Sequence, residues 1–362
     1  MQPLTPIVGP EVWTGREIAE SGRWLRDFTT TQLDELDAAV RKASERGLPW
    51  TEVTRERFPL SSFAPLAADI REELENGSGM VKLRGLPVDA YSELEQRRLY
   101  FLLGSHLGTA VSQSKSGALM NDVRDEGRDV GQRYGQLPDK NGVFLSSHAR
   151  ALSNGALRFH TDRCDVVSLL CVRQARIGGH SQLVSTPAIH NAMLERRPDL
   201  LELLYQGYWR NRLGEEEGGQ DLPYCLPVFG MRAGRFTSHY SRTYVEAAQR
   251  LPQVPKLTPV QNEALDLLAA IAAELCFEMT LAPGDIQLLN NHVIYHARGA
   301  FESDPGNGRG RLLMRIWLSV ANSRALPEDH AVLWGSVAAG AVRGGIAVAA
   351  GIAPAGQEVA AY

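Results

Sequence analysis

Phe159-His160-Thr161-Asp162 follows a glycine-containing turn and precedes an apolar run. His160 and Asp162 are two residues apart, and in an extended segment residues i and i+2 point the same way. Both side chains can therefore face one metal ion. A second histidine from elsewhere would complete two imidazoles and one carboxylate on one face. That donor set leaves open coordination positions and is typical of non-haem Fe(II) oxygenases. The question for the rest of the chain is whether it supplies the third ligand and an anchor for a co-substrate.

Late in the chain stands His292-Val293-Ile294-Tyr295-His296-Ala297-Arg298. Two histidines four apart could share a helix face and hold zinc. The intervening Val293, Ile294 and Tyr295 favour extended structure instead. In a strand both histidines again share a face, so either could be the third ligand. Arg311 and Arg315 lie 15 and 19 residues beyond His296, and Arg311 opens an apolar stretch, Leu312 to Val320. A guanidinium there can grip a carboxylate through two parallel hydrogen bonds. A dicarboxylate that chelates a metal at its other end needs such a grip.

Taken together these residues resemble the taurine and dichlorophenoxyacetate dioxygenase family of Fe(II)/2-oxoglutarate-dependent oxygenases. The resemblance rests on His160-Thr161-Asp162, Gly178-Gly179-His180-Ser181, Gly284-Asp285, Asn290 to His296, then Arg311 and Arg315, in that order. It covers roughly residues 80–320. It implies that His160, Asp162 and His296 bind Fe(II) and that Arg311 binds the distal carboxylate of 2-oxoglutarate. Ser181 stands where relatives often have Thr and keeps the hydroxyl that helps hold the cosubstrate. Arg315 matches a position near the cosubstrate or the substrate anion. His292 is expected to pack or to steady a ligand, and Cys164 and Asp165 to be structural. Arg158, Arg163 and Arg298 flank the motifs, either as an anion-friendly mouth or as ordinary solvated strand edges.

The same resemblance implies a dioxygenase that consumes dioxygen and 2-oxoglutarate, releases succinate and carbon dioxide, and hydroxylates a C–H bond of a small organic substrate. Asp162 argues against halogenation, because halogenating relatives lack this carboxylate. Residues Gly108-Thr109 to Gln113 fall where the family places a substrate-contacting loop. They lack the histidine of some taurine-type members, which argues against a small sulfonate. Two rival classes remain at this point: a zinc hydrolase using the same three ligands, and a non-catalytic jelly-roll module with a structural metal. The hydrolase has no need for Arg311 and Ser181, and the module predicts a closed metal shell and no oxygen consumption.

The elements that must position these residues follow from periodicity. Apolar spacing predicts helices over Thr31 to Glu45, Phe63 to Glu75 and Ser92 to His106. Thr186-Pro187 and Thr258-Pro259 read as a cap followed by a first-turn proline, the second helix running to about Ala273. Strands are expected at Met80 to Arg84, Asp165 to Val172, Ser181 to Ser185, Phe277 to Leu281, Ile286 to Asn290 and Leu312 to Val320. Residues 206–257 alternate short β-like pieces with turns. Many strands with helices around them predict a mainly β fold, a cupin-like double-stranded β-helix (jelly roll), rather than an alternating α/β sheet. The expected organisation is a helical N-terminal region over 1–79 and a catalytic jelly roll over 80–325. A loop at 109–150 is inserted in it, and an Ala/Gly-rich tail over 326–362 lies on the body or moves freely. That loop and residues 206–245 are expected to shape the substrate pocket.

The chain has 362 residues, 44% hydrophobic and 22% charged, with 38 basic and 42 acidic side chains for a net charge of −4. These are ordinary values for a globular protein, and the absence of a basic run argues against nucleic acid as a partner. Cys164, Cys171, Cys225 and Cys276 form no CxxC pair, which predicts reduced thiols in a cytoplasmic protein. No signal peptide and no apolar run of about 18 residues is read, so no membrane partner is expected. A dimer is the default expectation for any oligomer.

Overall fold

The computed structural model describes residues 4–126, 150–213, 223–303 and 310–348. Two sheets carry the candidate residues. The first has seven strands in the order Leu25–Asp27, Met80–Arg84, Ile286–Asn290, Val166–Arg173, Leu312–Ser319 and Thr109–Ala110, with Met120–Val123 also paired to Leu312–Ser319. The second runs Phe277–Met279, Ser181–Ser185, Ile294–Arg298 and Leu157–His160. Apart from the parallel pair at Leu25–Asp27 and Met80–Arg84, neighbours in both sheets are antiparallel.

The unbroken apolar runs are explained by cover on both faces. Alternate residues of a strand point to opposite sides. Val166, Leu170, Leu288, Met314 and Ile316 pack under the helices Thr30–Glu45, Ala64–Asn76 and Glu93–Leu107. Val167, Cys171, Leu289, Leu313 and Trp317 face the other way, against Leu183, Met279 and Ile294 of the second sheet. The outer face of the second sheet, at Val184 and Tyr295, is covered by helices Thr186–Arg196, Pro198–Leu204, Arg242–Ala248 and Pro259–Leu275. The result is a sheet-rich structure with helices on both outer faces. No helix among the described residues is long and apolar enough to cross a membrane.

Local chemistry sets the element ends. Thr29, Ser92 and Thr258 each close a capping box with Gln32, Glu95 and Gln261. The helix after the second sheet's Ser181–Ser185 strand is capped by Ser185, not by Thr186 as the sequence suggested. The Ser185 hydroxyl accepts from Ala188 N, which places Thr186 in the first turn ahead of Pro187. Gly284 turns the chain into the Ile286–Asn290 strand at φ +88°, and a Cβ there would meet Leu86 O at 2.0 Å. Asp285 closes this turn by accepting from Ala282 N at 2.8 Å and pairing with Lys82 at 2.7 Å.

Between 206 and 257 the short strands Gly207–Asn211, Pro223–Pro227, Phe229–Arg232 and Arg235–Ser238 are present, together with the helix Arg242–Ala248 that the turn-rich sequence did not announce. The expected turn at 214–219, most of the loop 109–150 and the end of the tail lie outside the described residues. The tail up to residue 348 does lie on the body: Gly345 N donates to Arg163 O at 2.7 Å and Ile346 N to Ser112 O at 2.8 Å.

Four buried histidines, His190, His239, His292 and His330, pack among these elements. Burial holds each below the ordinary imidazole value, and nearby cations add to the effect at His239. Groups depressed on folding stabilise the protein above the unfolded value and lose that contribution as pH falls, because only the unfolded chain takes up the proton. The urea midpoint should therefore drop between about pH 7.5 and pH 5.5, each histidine removing up to about 1.4 kcal/mol per pH unit below about 6.5. A midpoint that stays level or rises on acidification would contradict their buried neutral state.

Candidate active site

His160 ends its strand directly opposite His296, because the Leu157–His160 and Ile294–Arg298 strands pair in that register. The two rings stand 4.2 Å apart between centroids. Asp162 follows just past the strand end, where the Asn291 side chain accepts its backbone N–H at 3.1 Å and donates to Cys164 O at 3.0 Å. His160 Nε2 lies 3.7 Å from Asp162 Oδ1, and His296 Nε2 lies 3.9 Å from Asp162 Oδ2. One ligand atom from each of the three residues falls within 4.8 Å of the others, the one such cluster among the described residues.

The protonation states suit a metal. His160 Nδ1 meets the Arg158 carbonyl at 2.9 Å, which makes Nδ1 the donor and leaves the Nε2 lone pair facing Asp162. Burial lowers the His160 imidazole, and it lowers His296 to about 3 with help from the neighbouring His160. Burial alone would raise the Asp162 carboxyl. The charge of Arg315, first, then the pull of the two neighbouring imidazoles and a bond from Trp317 outweigh it, so Asp162 stays below its ordinary value. His160, Asp162 and His296 are only 3%, 7% and 8% exposed. Two neutral imidazoles and one carboxylate, converging in a dry site, fit a divalent first-row metal.

The Leu312–Ser319 strand presents Arg315 and Trp317 on the face it turns to the second sheet, and Arg311 immediately precedes it. Trp317 Nε1 donates to Asp162 Oδ2 at 2.9 Å. Arg315 Nη1 stands 3.4 Å from the same oxygen, and its Nε donates to Gln113 Oε1 at 2.8 Å. Arg311 is different. Its Nε donates to Gln174 Oε1 at 3.2 Å, and its guanidinium lies 5.1 Å from the Phe301 ring centroid. It is 3% exposed, its Nη1 has no partner, and among the described residues no carboxylate pairs with it. Burial pulls it down to about 10.

Gly178 and Gly179 both adopt left-handed φ, +75° and +71°. A Cβ on Gly179 would lie 3.1 Å from Arg311 Nε, so glycine lets the backbone approach the guanidinium. Ser181 follows, buried, on the strand between Met279 and Arg298.

His292 departs from the strand reading. Its N–H donates to Asn290 Oδ1 in a turn that precedes Ile294, so it does not share a face with His296. Its ring instead bridges Asp165 Oδ1 and Thr237 Oγ1, each at 2.9 Å. Arg298 is no solvated edge either, being buried against backbone carbonyls. Arg158 pairs with Glu246, and Arg163 Nε donates to Leu333 O. Sequence reasoning passed over Trp317, Gln113, Asn291 and Gln174. The two-residue period from Arg315 could have found Trp317; nothing local marks the other three.

Comparison with known proteins agrees with this geometry. The family described as "Taurine catabolism dioxygenase TauD, TfdA family" matches residues 44–317. FR-33289 synthase of Streptomyces rubellomurinus is 31% identical over 345 residues, covering 92% of this chain and 96% of that protein. The taurine hydroxylase-like protein SAT17 of Stachybotrys chartarum is 28% identical over 309 residues, 84% of this chain and 77% of that one. Asparagine oxygenase, solved with Fe(II), 3-hydroxyasparagine and succinate, shares the fold at TM-score 0.61 and 17% identity, over 88% of this chain and 100% of its own. The non-haem iron oxygenase OrfP, solved with Fe and alpha-ketoglutaric acid, does so at TM-score 0.58 and 15% identity, over 82% and 94%. With three quarters of its length matched and a relative above 30% identity along nearly the whole sequence, the chain belongs to the TauD/TfdA family of non-haem Fe(II)- and 2-oxoglutarate-dependent dioxygenases.

Proposed function

We propose that His160, Asp162 and His296 hold Fe(II), that Arg311 and Ser181 hold the distal carboxylate of 2-oxoglutarate, and that the enzyme hydroxylates a C–H bond of a small polar organic molecule. The two facing sheets are then the walls of a double-stranded β-helix spanning about 80–325, with 1–79 packed on it and 326–362 as its tail. The observation that carries the reading is the orphaned guanidinium of Arg311. A buried cation without a counter-charge is costly unless a ligand supplies one. A carboxylate meets the free Nη1 by a charge-assisted hydrogen bond. A hydrolase centre built on the same three ligands has no need of it.

When bound, the metal and 2-oxoglutarate supply the oxidising chemistry: dioxygen gives one oxygen atom to the substrate and one to succinate, with release of carbon dioxide. The chain's own residues prepare the place for it. Arg158 O fixes the His160 tautomer. Trp317 and Arg315 hold the Asp162 carboxylate turned toward both imidazoles, and Asn291 fixes the backbone that carries it. Arg315, kept in line by Gln113, also brings a positive charge beside the centre, where it suits a substrate with an anionic or carbonyl group.

Anaerobic addition of Fe(II) and then 2-oxoglutarate to the purified protein should produce the weak visible band of the metal chelate. Arg311→Ala should bind Fe(II) as before yet require far more 2-oxoglutarate for that band. A full band in Arg311→Ala at the wild-type concentration would move the anchor elsewhere. His160→Ala and Asp162→Ala should abolish iron-dependent turnover while keeping the native circular dichroism spectrum. Trp317→Phe should weaken Fe(II) binding about 10–100-fold, the usual effect of losing a hydrogen bond to a ligand. Unchanged affinity would mean that the indole does not orient Asp162.

A further inference from the structure

Arg298 lies two residues beyond His296, and its guanidinium is buried with no close ion pair among the described residues, although the charge of Asp125 favours it. It is held by backbone carbonyls of one turn. Nη2 donates to Gly155 O at 2.6 Å, Ser153 O at 2.7 Å and Arg150 O at 3.2 Å, and Nη1 to Ala151 O at 3.2 Å. The same turn is tied to the sheet a second time, because Phe301 N donates to Asn154 O at 3.0 Å. Phe301 is also the ring on which Arg311 rests: the Arg298 carbon lies 4.8 Å from its centroid and the Arg311 carbon 5.1 Å. Two buried guanidinium groups thus share one aromatic ring, and among the described residues neither makes a close ion pair with a carboxylate.

We propose that Arg298 is a positioning residue that couples 2-oxoglutarate binding at Arg311 to the order of the 150–155 turn. The coupling is electrostatic and runs through Phe301. Carbonyl dipoles solvate Arg298 but do not neutralise it, so the uncompensated charge of Arg311 opposes its residence in the cage. The charge of Arg311 acts against Arg298 and that of Asp125 in its favour. A carboxylate at Arg311 removes the repulsion and makes the cage already formed around Arg298 harder to open. Linkage makes the effect reciprocal: a turn already closed raises the affinity for 2-oxoglutarate by the same factor. This inference rests on the assignment of Arg311 to the distal carboxylate.

The test is hydrogen exchange of the full chain with Fe(II) under anaerobic conditions, comparing no addition, saturating 2-oxoglutarate, and saturating pyruvate. Pyruvate chelates through the same 2-oxo acid group but has no distal carboxylate. Amides in 150–156 should exchange at least about fivefold more slowly with 2-oxoglutarate, the low end of ordinary coupling between sites, and be unaffected by pyruvate. Arg298→Lys keeps the charge but not the fork of donors. It should abolish the protection and raise the KM for 2-oxoglutarate by the same factor, with kcat changed less. Equal protection by pyruvate, or a visible chelate and slowed exchange at 311–319 with no change at 150–156, would overturn the coupling alone. Failure of 2-oxoglutarate to give a chelate band or any protection in wild-type protein would overturn the Arg311 assignment as well. The wild-type comparison needs no variant, so a misfolded Arg298→Lys would not rescue the idea.

Discussion

A charge removed from water must meet an opposite charge or a cage of dipoles, and this interior contains several guanidinium groups that obey the rule in different ways. Arg324 pairs with Glu75 at 2.8 Å and Arg343 with Asp165 at 2.8 Å. Arg315 leans on Asp162. Arg298 and Arg210 donate to carbonyl oxygens, and Arg298 also rests on the Phe301 ring. Arg311 has one amide oxygen and lies over the Phe301 ring that it shares with Arg298. Ordered by how fully they are satisfied, these arginines separate structure from proposed function: the paired ones hold the fold, and the least satisfied one is the proposed anchor of a dicarboxylate.

Sheet geometry converts that constraint into a site. Pairing of His160 with His296 across two strands sets the imidazoles side by side without any special loop. The alternation of the Leu312–Ser319 strand puts Leu313, Arg315 and Trp317 toward the second sheet while Leu312, Met314 and Ile316 lock into the helical layer. A one-residue slip of this strand would exchange the two sets, burying charge under the helices and leaving the centre apolar. The eight-residue burial of the strand therefore fixes the register of the chemistry as well as the stability of the sheet.

Much of this was legible beforehand because it is local. Strand bounds at Met80–Arg84, Ser181–Ser185 and Ile286–Asn290 came directly from short apolar runs ended by Gly, Pro or Asn, and helix starts came from their capping residues. Ser185 displaced Thr186 as a cap because both are good caps and only the strand's end decides between them. The helix Arg242–Ala248 is too short for its periodicity to stand out. His292 was misplaced for a better reason. Val293 and Ile294 have strand character, but the Asn290 side chain captures the His292 N–H and forces a turn that no propensity scale records. What stayed hidden was tertiary: Gln113 reaching Arg315 across 202 residues, or Asn291 bridging to the 162–164 backbone across 127 and 129.

Asp165 shows why such contacts carry weight out of proportion to their number. It stands three residues after Asp162 and never touches the metal cluster. It accepts from His292 Nε2, Ser319 Oγ, Val320 N and Arg343 Nε, four donors drawn from a turn, the end of a strand and the tail. A carboxylate so satisfied stays ionised despite its burial, which its lowered value reflects. Its charge lets Arg343 be buried, and Arg343 in turn brings Gly344 and Gly345 against the Arg163 backbone beside Asp162. The tail, which composition alone describes as a featureless Ala/Gly segment, is thereby bound into the support of the ligand loop. The two aspartates divide the work by their surroundings: one is saturated with donors and holds the frame, and the other keeps oxygens turned toward two neutral imidazoles, where a cation would complete the proposed centre.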